Sequence, residues 1–123
     1  AYYFKTDVDY EPGQPFMGGG EQALSGDDAY GAIRGLDVLT GEKKWEFRLH
    51  TPPWAGVMST AGGLVFGGTN EGNIFALDAE TGGLLWEFPA GGTVRTNPMS
   101  YALDGKQYIV TAAGNGVFVF GLP

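Results

Sequence analysis

Residues 72–88, GNIFALDAETGGLLWEF, are the stretch that decides how the rest of this chain is interpreted. Apolar side chains stand on both sides of a short polar segment, residues 78–82. The Asp, Thr and Gly of that segment are typical turn formers, because they bond to nearby backbone or tolerate positive φ. The stretch therefore predicts two β-strands joined by a tight turn, with Trp86 on the second strand.

The same pattern occurs once more upstream, at residues 31–47, GAIRGLDVLTGEKKWEF. Identical residues recur at a spacing of 41 positions, including Gly31/Gly72, Asp37/Asp78, Thr40/Thr81, Gly41/Gly82, Trp45/Trp86 and Phe47/Phe88. Residues 116–120, GVFVF, form a third and partial copy. The chain is therefore predicted to be a repeat protein.

A repeat in the low forties is the length of a four-stranded propeller blade. Each blade buries its faces only by stacking on its neighbours, so the repeat implies a larger array. In this interpretation Trp45 and Trp86 are structural, since a tryptophan offers a large flat apolar face with one N–H donor. Asp37 and Asp78 are turn caps rather than catalytic carboxylates, because their side chains can accept backbone N–H bonds.

The pattern Ala-x-Asp-x-x-Thr-Gly-x-x-x-Trp at residues 76–86 resembles the tryptophan-docking motif of the quinoprotein alcohol dehydrogenases. In that family eight blades form a propeller, and each docking tryptophan stacks between two blades. Residues 52–68 and 104–109 also resemble the C-terminal region of these enzymes. The first copy of the motif carries Gly35 in place of the alanine, and we expect a slightly weaker packing contact there.

The predicted fold is all-β, a partial β-propeller of about two and a half four-stranded antiparallel blades within a single segment, residues 1–123. Residues 1–50 would be the end of one blade, with a long irregular loop at 5–29 that is either a surface excursion or functional. Residues 51–91 would be a complete blade and residues 92–123 three strands of an incomplete one. The predicted strands are residues 30–36, 43–49, 55–60, 64–68, 73–78, 83–89, 96–102, 107–112 and 116–121.

Composition excludes several classes of function. The net charge of −7 argues against a nucleic-acid partner and against attraction to anionic lipids, because no basic patch is present. The sequence contains no run of 18 apolar residues, so no membrane-spanning helix is predicted. The chain has no cysteine and one histidine, His50, so neither a thiolate site nor a His-rich metal site is possible within it.

Trp54 is the best candidate for contact with a ligand. It follows two prolines and lies outside the repeated tryptophan positions, at the start of a predicted innermost strand. By resemblance, Trp54 would border the cofactor pyrroloquinoline quinone (PQQ) near the propeller axis, with the backbone of Ala55 and Gly56 nearby. The alternative is an aromatic plug that packs the central channel.

Two further positions could face the axial funnel. Arg95 and Asn97 precede Pro98 at the start of the next innermost strand, where polar groups can meet a ligand. His50 is expected to be a surface or turn residue rather than a base.

The carboxylates Asp7, Asp9 and Glu11 lack the glycine and the glutamate that a calcium-binding EF-hand loop requires. We predict no metal ligand and no catalytic residue in this chain. In the resembling family Ca²⁺ and an Asp base belong to earlier blades, so this chain alone is expected to bind neither PQQ nor Ca²⁺.

The resemblance implies the C-terminal blades of a periplasmic PQQ-dependent alcohol dehydrogenase, in which a Ca²⁺-bound quinone oxidises a small alcohol. The expected partners are the remaining blades or other copies of the chain, because a part of a propeller exposes a blade face and a strand edge. The alternative is a non-catalytic propeller scaffold, similar to the outer-membrane assembly lipoproteins that share these repeats. An aromatic side chain at the funnel, Trp54, favours the enzyme.

Overall fold

The computed structural model describes residues 2–22 and 29–121. Within these ranges every regular element is a β-strand. The strands are β1 Tyr2–Lys5, β2 Gly19–Gln22, β3 Gly31–Leu36, β4 Lys43–Leu49, β5 Met58–Ser59, β6 Leu64–Gly68, β7 Asn73–Asp78, β8 Leu84–Pro89, β9 Met99–Leu103, β10 Lys106–Ala113 and β11 Gly116–Gly121. No helix in the described residues is long and apolar enough to cross a membrane.

The strands form four antiparallel sheets in the described residues. β1 pairs with β2 and β3 pairs with β4, whereas β5–β8 form a four-stranded sheet in sequence order. β9, β10 and β11 form a three-stranded sheet with β10 in the middle. The all-β, antiparallel fold predicted from the repeats is therefore confirmed, and the four-stranded sheet lies within residues 51–91.

The predicted irregular loop at residues 5–29 is wrong where β2 lies. β2 pairs with β1, with Tyr2 opposite Gln22 and Lys5 opposite Gly19. A glycine run hides this strand from pattern analysis, because it offers no alternation of apolar and polar side chains. The carbonyl oxygen of Phe4 occupies the space that a Cβ at Gly19 would need. Residues 23–28 of the predicted loop lie outside the described residues.

Both innermost strands begin later than predicted, at Met58 rather than 55 and at Met99 rather than 96. Side-chain bonds replace the sheet ladder in the segments before them. The backbone N–H of Gly56 donates to Oδ1 of Asn97 at 2.9 Å. Pro98 has no N–H and therefore supplies no donor to a ladder at that position.

The core lies in two seams between stacked sheets. Buried Leu49, Val65, Phe75 and Leu77 join the β3–β4 hairpin to the four-stranded sheet. The second seam, between the four-stranded and three-stranded sheets, contains Phe66, Ala76 and Ile109 in one cluster and Ile74, Val94 and Ala113 in another. Stacking of successive sheets is thus the main source of apolar burial, as expected of repeated units.

Trp45 links two successive sheets. Its indole Nε1 donates to the backbone oxygen of Ala79 at 3.0 Å, and its ring lies against Gly82 in the β7–β8 turn. The same ring occupies the space that a Cβ at Gly35 would need. The expected weakening of the contact at Gly35 is therefore not supported, since the indole fills the place of the missing methyl group.

The turn carboxylates are caps, as predicted. Oδ1 of Asp78 accepts the backbone N–H groups of Thr81 at 2.7 Å and Glu80 at 3.0 Å. Asp37 makes the equivalent pair of bonds in the β3–β4 turn. These bonds, chiefly those from the backbone N–H groups of Thr81 and Thr40, lower the pKa of the two carboxyl groups. Both carboxylates are therefore occupied in turn formation.

Candidate functional site

The segment that carries Trp54, residues 51–56, is here called the Trp54 loop. Its beginning is tied to the β6–β7 turn by two hydrogen bonds. The Thr51 hydroxyl donates to Oε1 of Glu71 at 2.8 Å, and Nδ2 of Asn70 donates to the carbonyl oxygen of Pro52 at 2.7 Å. The Thr51 bond is the largest of the causes that lower the pKa of the Glu71 carboxyl.

The end of the Trp54 loop is tied to the next sheet by the bond from Gly56 N–H to Asn97 Oδ1. A Cβ at Gly56 would overlap the Asn97 side chain, so the close approach requires glycine at this position. Between the two ends, Ala55 packs against the buried cluster of Ile74, Val94 and Ala113. The loop is therefore held at both ends and in the middle.

The side chain of Trp54 extends away from the anchored backbone of the loop. Its side chain is 72% exposed, although the backbone on both sides is fixed. It forms no aromatic pair in the described part of the chain, in contrast to Trp86, Phe88 and Phe120, which contact one another in stacked and edge-to-face pairs. A flat apolar face on a fixed backbone is suited to stacking on a planar ligand.

Arg95 occupies the position in the next repeat that corresponds to Trp54, 41 residues later. Its side chain is exposed and borders a shallow cleft of about 260 Å³ with Thr93, Thr96 and Asn115. Because Gly56 and Asn97 are bonded, Trp54 and Arg95 each lie two residues before a point where the two blades meet. Neighbouring repeats thus carry an aromatic ring, Trp54, and a cation, Arg95, at equivalent positions.

The other sequence candidates lie elsewhere. His50 is exposed, as predicted, and borders a separate cleft with Glu71 and Glu87. In residues 2–22 and 29–121 no three His, Cys, Asp or Glu side chains come close enough together to hold a metal ion. The assignment of Trp54 and Ala55 to cofactor contact remains a prediction, with Ala55 able to contribute only its backbone.

Sequence analysis did not single out Asn70, Thr51 or Glu71. Asn70 and Glu71 belong to a turn that was recognised, but a turn sequence does not reveal which distant backbone group its side chains reach. The nearest signal is the pair of prolines in the Trp54 loop, whose nitrogens carry no hydrogen and so leave the loop to be fixed by side chains.

Successive antiparallel sheets that stack face to face, with a tryptophan of one docked on a turn of the next, define a β-propeller. The PQQ family model, described as the glucose/ethanol/alcohol dehydrogenase β-propeller domain, matches residues 48–109. The chain belongs to this family.

Curated relatives match most of this chain but only a small part of their own length. Quinoprotein alcohol dehydrogenase PedE of Pseudomonas putida is 40% identical over 115 residues, which is 93% of this chain and 18% of the relative. The lanthanide-dependent methanol dehydrogenase of Methylacidiphilum fumariolicum is 38% identical over 119 residues, 93% of this chain and 20% of the relative. The chain thus spans about a fifth of the proteins that it resembles.

Solved structures likewise match most of this chain and only a small part of their own length. A europium-containing methanol dehydrogenase matches with a TM-score of 0.67 and 41% identity, over 74% of this chain and 16% of that one. BamB from Moraxella catarrhalis matches with a TM-score of 0.53 and 26% identity, over 76% of this chain and 28% of that one.

Proposed function

We propose that this chain forms C-terminal blades of a PQQ-dependent alcohol dehydrogenase and that Trp54 lines one wall of its cofactor site. The observation that carries the proposal is the Trp54 loop, which holds an exposed indole on a backbone fixed at both ends. Fixing a loop in this way lowers the entropic cost of binding, because the loop need not be ordered when the ligand arrives.

Trp54 and Arg95 have side chains that fit the proposed cofactor. PQQ is a planar fused-ring quinone with several carboxylate groups. The indole of Trp54 can stack on such a plane, and the guanidinium of Arg95 can pair with a carboxylate. When bound, the quinone supplies the two-electron oxidation, and the protein supplies orientation and electrostatics.

The proposal assigns the metal ion and the base of the reaction to other blades, as the resemblance implies. The resemblance implies Ca²⁺. Two of the similar proteins are instead a lanthanide-dependent and a europium-containing methanol dehydrogenase. The proposal therefore covers either class of cation and leaves the choice to the experiment below.

A small alcohol as substrate and a periplasmic location belong to the same proposal. The remaining blades are its proposed partners, and an apolar surface supports this. No described residue covers one face of the β9–β11 sheet, and cross-strand neighbours such as Val110 and Val119 share this face. Its exposed apolar side chains are Met99, Tyr101, Leu103, Val117 and Val119. An exposed apolar face of this kind is typical of a surface that another element covers.

A second candidate is a non-catalytic propeller scaffold. The likeness to BamB supports it, since the identity of 26% extends over 76% of this chain. A scaffold has no need for a fixed, exposed indole at the inner edge, so the Trp54 loop favours the enzyme.

The test uses the full-length protein encoded by the reading frame that contains this chain. It is loaded with PQQ together with either Ca²⁺ or La³⁺, and alcohol-dependent reduction of an artificial electron acceptor is measured with methanol and with ethanol. We expect turnover that requires both PQQ and one of the two cations. A folded protein that neither binds PQQ nor turns over any alcohol would support the scaffold instead.

A further inference from the structure

We infer that Asn97 is a positioning residue that fixes the orientation of Trp54 toward the bound quinone. The inference rests on the proposed function, because it assigns a role in that same cofactor site. It concerns a residue that touches the Trp54 loop and acts through it.

The contact itself joins two repeats. Oδ1 of Asn97 accepts the backbone N–H of Gly56 at 2.9 Å, and Gly56 is the last residue of the Trp54 loop. Among the described residues, this is the only hydrogen bond between the Trp54 loop and the blade that follows. The other two bonds of the loop go to the β6–β7 turn of its own blade.

The Gly56 amide has no other partner in the described residues. β5 begins at Met58, so residues 55–57 make no ladder bonds with β6. Without the Asn97 oxygen, the Gly56 N–H must take water as its partner, and the direct hydrogen bond between the loop and the following blade is lost. Loss of the Asn97 oxygen therefore frees the end of the loop two residues from Trp54.

Asn97 is itself held on a rigid base. Next to it, Oγ1 of Thr96 accepts the backbone N–H of Ala112 at 2.9 Å and donates to the carbonyl oxygen of Ala112 at 3.2 Å. Pro98 on the other side is buried, and its ring restricts the backbone of Asn97. Asn97 thus links the Trp54 loop to a segment that is itself hydrogen-bonded to β10.

The experiment compares three variants of the full-length protein. Asn97→Ala removes the acceptor, and Asn97→Asp retains an acceptor oxygen at nearly the same place. Ser100→Ala is the matched control, because the Ser100 hydroxyl also accepts a side-chain bond, from Gln107 at 2.8 Å, without contact to the Trp54 loop. Hydrogen exchange of the Gly56 amide reports on the loop, and PQQ titration reports on the cofactor site.

In Asn97→Ala we expect exchange at Gly56 to become about tenfold faster and the Kd for PQQ to rise about tenfold, as for loss of one hydrogen bond. Asn97→Asp restores slow exchange, and Ser100→Ala matches the wild type in both measurements. The inference is overturned if Asn97→Ala behaves like Ser100→Ala, or if Asn97→Asp exchanges as fast as Asn97→Ala.

Failure of the proposed function gives a different result. A wild-type protein that binds no PQQ removes the cofactor role of Trp54 and, with it, the role assigned to Asn97. If the wild type binds PQQ and Asn97→Ala binds it equally well, only the inference about Asn97 fails.

Discussion

In residues 1–123 alone, replacing Gly82 with alanine is expected to lower the free energy of unfolding by about 2–4 kcal/mol, against about 1 kcal/mol for Gly41→Ala. The two glycines occupy equivalent positions in successive repeats, and both have φ of +73°. The cost of placing a side chain in the left-handed region is therefore the same at both. Gly82 differs because a Cβ there would lie 2.5 Å from Cε3 of Trp45, whereas no described residue lies within 4 Å of a Cβ at Gly41.

The comparison isolates the docking of Trp45 on the β7–β8 turn. Denaturant unfolding of the two variants and the wild type measures it directly. Equal losses of stability for Gly41→Ala and Gly82→Ala would show that the tryptophan does not depend on this glycine. A double variant in which Trp45 is also replaced should recover part of the loss at Gly82, because the overlap with the ring is then removed.

In residues 1–123 alone, Leu77→Ala is expected to cost about 2–5 kcal/mol, whereas Leu36→Ala changes stability by no more than about 0.5 kcal/mol. These leucines are also equivalent, 41 residues apart, and each follows a register shift in its strand. Leu77 is fully buried between two sheets, and Leu36 is 60% exposed. Removing three carbon atoms leaves a cavity only where neighbouring side chains surround the site.

The same unfolding measurement applies to this pair. If Leu36→Ala were as destabilising as Leu77→Ala in residues 1–123 alone, that result would contradict the exposure of Leu36 described here. In the full-length protein the proposed preceding blade would cover Leu36, and the two losses of stability are then expected to become similar.

Strand positions were predictable because the repeat specifies them twice. The Asp, Thr and Gly of residues 78–82 define a turn, and the same residues 41 positions earlier define another. Packing between repeats follows from the same pattern, since a tryptophan after each turn needs an apolar or backbone surface to cover. The hydrogen bond from Trp45 to the backbone oxygen of Ala79 is one such contact between repeats.

Contacts between distant side chains and backbone were not predictable. The bond between Gly56 and Asn97 spans 41 residues and shortens both innermost strands, but neither residue departs from what a turn or a strand end normally contains. β2 was missed because glycines carry its first half. In both cases the structure depends on which hydrogen-bonding groups lie close together in space. A sequence pattern does not contain those distances.

The candidate site was predicted only in part. Trp54 stood out because it lies outside the repeated tryptophan positions, and the resemblance to the quinoprotein dehydrogenases supplied the ligand. The anchoring of the loop by Asn70 and Asn97 comes from the structure alone. These anchors are the structural basis for proposing that Trp54 forms one wall of a binding site.

The most direct test of this account is a titration of the full-length protein with PQQ, in the presence of Ca²⁺ or La³⁺, followed by tryptophan fluorescence. Trp54→Ala is compared with Trp86→Ala, which removes the same number of indoles at a position away from the Trp54 loop. We predict saturable quenching in the wild type and in Trp86→Ala, and a Kd raised about 30-fold or more in Trp54→Ala, as for an aromatic anchor worth about 2 kcal/mol. Quenching and affinity in Trp54→Ala that equal those of Trp86→Ala would contradict the assignment of Trp54 to the cofactor site.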